Sequence, residues 1–188
     1  MTPLTVRAAG RISLFWLVML CAAALLLRND PILPALFSAP GCTHPCWNGL
    51  QTEVSTLDDV RARFDDSDMT FQVLTNNTRR GPTMSVMFQS TSNRLYLVDN
   101  MVRHITISGN LCIAEVLAAY GTPTHFSITP DGRFSVFYLG EGLVLHGHEH
   151  HVTLVEITNA GEVHHRLRNT PRYHDWRAAA PHWLRTCG

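Results

Sequence analysis

Eight of the eleven histidines follow residue 145, and the stretch HGHEHH at 146–151 packs four histidines and a glutamate into six positions. Neutral imidazoles are common ligands for zinc, copper or nickel. In an extended strand His146, His148 and His150 would share one face. His164, on a following strand, would then complete a metal site. The same stretch also reads as a hairpin. Apolar strand residues flank it, and Gly147 offers the backbone freedom a turn needs. A tip that turns cannot also hold three residues in strand alternation. The leading expectation is therefore an exposed connection between strands Gly142–His146 and His151–Ile157, with no structural metal and no cofactor. A metal-binding or metal-sensing role for His146, His148, His150 and His164 is the alternative.

Cysteine is the other reactive type. Cys21 lies in an apolar run. Cys42, Cys46, Cys112 and Cys187 are an even number outside it, which predicts two disulfides with three possible connectivities. A metal site on Cys42 and Cys46 is the rival reading. The Cys46-Trp47 pair is superficially similar to the nucleophile region of papain-like proteases. There, however, the cysteine opens a long helix, whereas Asn48-Gly49 marks a turn. The carboxylates Asp65, Asp66 and Asp68 lack the regular oxygen ligands and closing glutamate of a calcium loop. No phosphate-cradling glycine loop, serine elbow or paired-carboxylate motif is present. No catalytic residue is assigned, and the chain is not expected to be an enzyme.

Fifteen arginines balance fifteen carboxylates, so the net charge is zero at pH 7 and nucleic acid is not an expected partner. Apolar residues make up 45% and charged residues 16%, a composition that suits a packed domain. Arg7 and Arg11 precede an uncharged run from Ile12 to Leu27. As a helix this run would span about 24 Å at about 1.5 Å per residue, against about 30 Å of hydrocarbon. Without a cleavage site directly after it, the run predicts an uncleaved signal-anchor. The positive flank predicts a cytoplasmic N-terminus and an extracytoplasmic domain, a single-pass protein of the cell membrane. The expected organisation is a cytoplasmic stub and anchor (1–28), a Pro-rich linker (29–41) and one extracytoplasmic domain (42–188).

Periodicity supplies the elements of that domain. Leu57, Val60 and Phe64 recur on one helix face behind Ser55 or Thr56 as cap. A second helix runs through Ile113, Val116, Leu117 and Tyr120, behind Asn110 and before Gly121 and Pro123. Alternation predicts strands at 71–75, 83–89, 94–99, 101–108, 124–129, 133–139, 142–146 and 151–157. Asp99-Asn100 and Pro130-Asp131-Gly132 read as turns. An "NAG" turn at 159–161 leads into a strand at 162–168. With an offset of 56, Leu57, Asp59, Val60 and Phe64 align with Ile113, Glu115, Val116 and Tyr120. The fold expected is α+β: a transmembrane helix, then two helix-plus-antiparallel-sheet units packed as one domain.

The segment from Gly109 through EVLAAYGTP resembles the signature of the small SmpA/OmlA (BamE-like) fold. That resemblance implies helices leading into a three-stranded antiparallel sheet. CTHPCWNGLQTEVSTLDDV, from Cys42 to Val60, is similar to the start of an uncharacterised group of bacterial membrane-anchored extracytoplasmic proteins. The resemblance describes fold more than activity, and this chain has no lipobox. The expected function is a structural or interaction module of the cell envelope with a protein partner.

Overall fold

The computed structural model describes residues 45–65, 69–78, 81–89, 91–168 and 173–176. Within them nine strands form one antiparallel sheet: β1 (Phe71–Thr78), β2 (Gly81–Phe88), β3 (Arg94–Val98), β4 (Met101–Cys112), β5 (His125–Ile128), β6 (Arg133–Tyr138), β7 (Leu143–His148), β8 (His151–Ile157) and β9 (His174–Asp175). Across the sheet the order is β1-β2-β3-β4-β8-β7-β6-β5-β9. Helix α1 (Leu57–Phe64) precedes β1, α2 (Ile113–Tyr120) links β4 to β5, and α3 (Ala160–Arg168) follows β8.

Local sequence explains the connections. Asp99 and Asn100 take φ values of 52° and 63° between β3 and β4, the mirror-image turn that matches the twist of paired strands. Gly132, at φ 81°, turns β5 into β6. Helix α1 opens with a capping box: the Thr56 hydroxyl accepts from the Asp59 amide at 3.3 Å, and Asp59 accepts from the Thr56 amide at 2.7 Å. Helix α2 has no side-chain cap and starts straight from Cys112 at the end of β4.

Alternation decides the faces. Val86 and Phe88, Leu95 and Leu97, Leu143 and Leu145, and Val155 and Ile157 are buried on one side of the sheet. Helices α1 and α2 close that side with Leu57, Val60 and Phe64 and with Ile113 and Val116. Trp47 joins them, its ring 5.4 Å from Phe64 and 4.9 Å from Phe88. On the opposite side, α3 packs Val163, with Leu167 alongside, onto Phe137 and Val144.

Several expectations are corrected here. The strands do not form two sheet units packed on one another. An offset of 56 does carry Leu57–Phe64 onto Ile113–Tyr120. Each helix is followed by four consecutive strands, but β4 and β8 pair along Ile105↔Ile157 to Cys112↔His151 and fuse everything into one sheet. Pairing satisfies the two edges that separate units would have left open. The segment 160–168 is a helix and not a strand, because the Asn159 side chain accepts the Glu162 amide at 2.7 Å and starts one. The transmembrane helix, and the membrane location and topology drawn from it, are not supported: among the described residues no helix is long and apolar enough to cross a membrane. The run from Ile12 to Leu27 lies outside those residues. The expected set of two disulfides is likewise not shown, since no cysteine pair falls within the described residues. Cys46 and Cys112 are each disulfide-bonded, while Cys42 and Cys187 lie outside.

Candidate functional site

The side of the sheet opposite α1 and α2 carries the residues that can interact. On β1 to β3, Leu74, Ser85 and Tyr96 stand in register across three strands. Gln72, Met87 and Arg94 form the next row. Leu74 is 51% and Tyr96 40% exposed. With Val54 they are the exposed large apolar residues among those described. Arg94 is exposed, and no ion pair holds it among the described residues. The row thus offers apolar and aromatic contact together with one uncommitted guanidinium.

The next strands of the same face hold a charged cluster. His104 projects from β4, Glu156 from β8, His146 from β7 and Ser135 from β6, and α3 lays Arg166 and Glu162 against them. Arg166 Nη1 donates to Glu156 Oε2 at 2.6 Å, and its Nε donates to Glu162 Oε1 at 3.2 Å. The same Glu156 oxygen is 3.6 Å from His146 Nε2 and 4.0 Å from His104 Nε2. Ser135 Oγ lies 2.8 Å from His146 Nδ1. Burial by itself would raise the Glu156 carboxyl; His146, Arg166 and His104 outweigh it and hold it at about 2. Burial lowers the His104 imidazole; Glu156 opposes that lowering and Arg166 adds to it.

Ser135, His146 and Glu156 run in the order of a hydroxyl, a base and an orienting carboxylate. Strand β6 is paired on both sides, with β5 and with β7. Its amides are therefore spent on the ladder and are not aimed at a developing oxyanion. What the cluster does is hold one ionised carboxylate between an arginine and two imidazoles at the seam between sheet and helix.

The four histidines of the alternative metal reading are not gathered. His146 belongs to this cluster, while His148 ends β7 and approaches the Asp131 carbonyl oxygen at 2.9 Å. His150 sits in the turn, where its carbonyl accepts the Ile113 amide at 2.9 Å. His164 is exposed on α3. Among the described residues no group of three or more His, Cys, Asp or Glu side chains is placed to hold a metal ion. The hairpin is present, with β7 running on to His148 and Glu149-His150 as its tip.

A second feature lies in the loop before α1. Glu53 has φ 65°, a conformation that costs a non-glycine residue energy. It ion-pairs with Arg103 and accepts from Asn159 Nδ2 at 3.0 Å. The next residue, Val54, is 66% exposed and borders two shallow cavities of about 390 and 210 Å³.

Sequence reasoning missed His104, Glu156, Arg166 and Ser135. A signal existed for one of them: Glu156 is the lone carboxylate in β8, set between the apolar Val155 and Ile157. The others need the strand order, because β4 and β8 are neighbours only in space. Comparison with known proteins finds no matching family model, no similar curated protein and no similar solved structure.

Proposed function

We propose that the protein is a non-enzymatic interaction module that receives a protein partner on the open face of β1 to β4. The carrying observation is that Leu74 and Tyr96, two large apolar side chains, stay exposed on one sheet face in register with each other. Arg94 beside them argues for a partner that brings a carboxylate to an apolar contact. Aromatic residues and arginine are the side chains that most often anchor protein interfaces. The inner-strand position of Ser135 supports the non-enzymatic reading, since the β6 amides beside it are taken up by the ladder.

The test is a photoreactive residue at position 96 of the full chain in its native cells, with the same residue at Asp58 on α1 as control. The reading expects one discrete protein adduct at 96, absent at 58 and lost on Leu74→Asp or Arg94→Glu. Equal adducts at 96 and 58, or adducts indifferent to those substitutions, would refute it.

A further inference from the structure

We propose that β1 pairs antiparallel with β1 of a second copy of this chain, about a two-fold axis at Leu74, so that the sheet runs on across two molecules. The inference concerns the edge of the sheet and goes beyond the partner proposed above for its face.

The sheet has two edges, β1 and β9. Strand β9 is two residues long and carries Asp175, and a short, charged edge resists pairing. Strand β1 has none of the usual guards. It runs for eight residues, FQVLTNNT, with no charged residue and no proline. Its register with β2 is continuous from Phe71↔Phe88 to Thr78↔Gly81, without a bulge. Among the described residues no strand lies on its outer side.

The ladder shows which backbone groups face outward. The Gln89 amide donates to the Thr70 carbonyl at 3.0 Å, one residue before the first strand pair Phe71↔Phe88. Hydrogen-bonded pairs alternate along an antiparallel ladder. Gln72, Leu74, Asn76 and Thr78 therefore bond to β2, and the N–H and C=O groups of Phe71, Val73, Thr75 and Asn77 point away from it. That outward set is symmetric about Leu74. An antiparallel copy centred there sets Phe71 against Asn77 and Val73 against Thr75, in both directions, and uses every outward group. A centre at Val73 or Thr75 leaves one of the four residues unpaired. The Leu74 register also puts the two Leu74 side chains opposite each other, on the same face, as a non-hydrogen-bonded pair with Cα atoms about 4.5 Å apart. Leu74 is 51% exposed in the single chain, so its contact with its own copy removes apolar surface from water.

Charge selects the direction. In sequence β1 is preceded by Asp65, Asp66 and Asp68 and followed by Arg79 and Arg80. An antiparallel copy brings flanks of opposite sign together, whereas a parallel copy would set like charges against each other. Asp66, Asp68, Arg79 and Arg80 lie outside the described residues, and this sign pattern is that of the sequence order alone.

The experiment is mild oxidation of the purified full chain carrying Leu74→Cys, beside the unsubstituted chain and Gln72→Cys. Two cysteines at 74 would fall within disulfide reach, whereas two at 72 would lie about 14 Å apart, four residues at about 3.4 Å each. The expected result is a covalent dimer from Leu74→Cys and none from the other two. Adding Thr75→Pro to Leu74→Cys should abolish it, because proline removes an outward N–H and leaves the β1–β2 bonds in place. Amide hydrogen exchange of the unsubstituted chain against concentration covers the case in which a variant fails to fold. The Phe71, Val73 and Thr75 amides should slow about tenfold where about nine chains in ten are paired, since only the free fraction exchanges, while the Gln72 and Leu74 amides are protected throughout. Equal cross-linking at 72 and 74, cross-linking indifferent to Thr75→Pro, or edge amides that exchange freely at every concentration would overturn the inference.

Discussion

Gly147 shows how a residue can be placed correctly in sequence for the wrong reason. Glycine between two apolar runs suggests a turn, and the hairpin is there. Yet the left-handed residue is Glu149, at φ 54°, and Gly147 lies buried within β7. It is glycine because nothing larger fits. A Cβ built there would stand 2.1 Å from the His151 carbonyl oxygen and 2.4 Å from Phe134 Cζ. Both neighbours sit in the paired strands β6 and β8 and have little room to yield. Gly147→Ala should therefore destabilise the protein by about 1–3 kcal/mol, the usual range for overpacking a core. Gly140→Ala, where a Cβ meets nothing within 4 Å, should stay within about 0.5 kcal/mol. Urea denaturation of the two variants checks this, and equal midpoints would contradict it. The His cluster carries the same lesson: its spacing invited a metal, but the turn sends His146, His148 and His150 to different surroundings.

At the scale of elements β1 to β8 were legible because each alternates, and their bounds moved by only a few residues, while the two-residue β9 is too short to show alternation. α1 was legible from its capping residues and apolar spacing. α3 was not, although Asn159 and Glu162 stand where a helix start places them; the "NAG" triplet looked like a turn and hid them. The charged seam was beyond the sequence, because His104 and Glu156 are far apart in the chain and meet only through the β4–β8 pairing. The seam makes stability depend on pH in two windows. His104 is lowered from 6.5 in the folded chain, so the unfolded chain binds its proton first. Stability then falls as pH drops below about 6.5 and levels once the folded imidazole titrates. Glu156 is lowered from 4.5 to about 2, so a second decline runs from about pH 4.5 downward. Urea unfolding against pH should show both declines, with His104→Gln removing the upper one and Glu156→Gln reducing the lower, to which the lowered Asp59 and Asp131 also contribute. A single decline confined to pH below 4.5 would contradict the His104 assignment.

For the whole molecule the repeat in the sequence was real at the helices and misleading about the sheet. A helix followed by four strands occurs twice, and the natural reading was two stacked units. The last strands of the two halves instead pair edge to edge, which no periodicity within either half could reveal. One continuous sheet has two continuous faces, and the helices cover them unequally. α1 and α2 close one face, α3 closes part of the other, and Leu74, Met87, Arg94 and Tyr96 lie on the part left open. Covalent side-chain labelling tests this most directly, comparing the purified chain with the protein in its native cells. In the purified chain Tyr96, 40% exposed, should label and Tyr138, 4% exposed, should not. In cells, labelling of Met87 and Tyr96 should drop severalfold while exposed residues of α1 keep theirs. Labelling of Tyr138 in the purified chain, or equal labelling of Met87 and Tyr96 in both settings, would contradict the account.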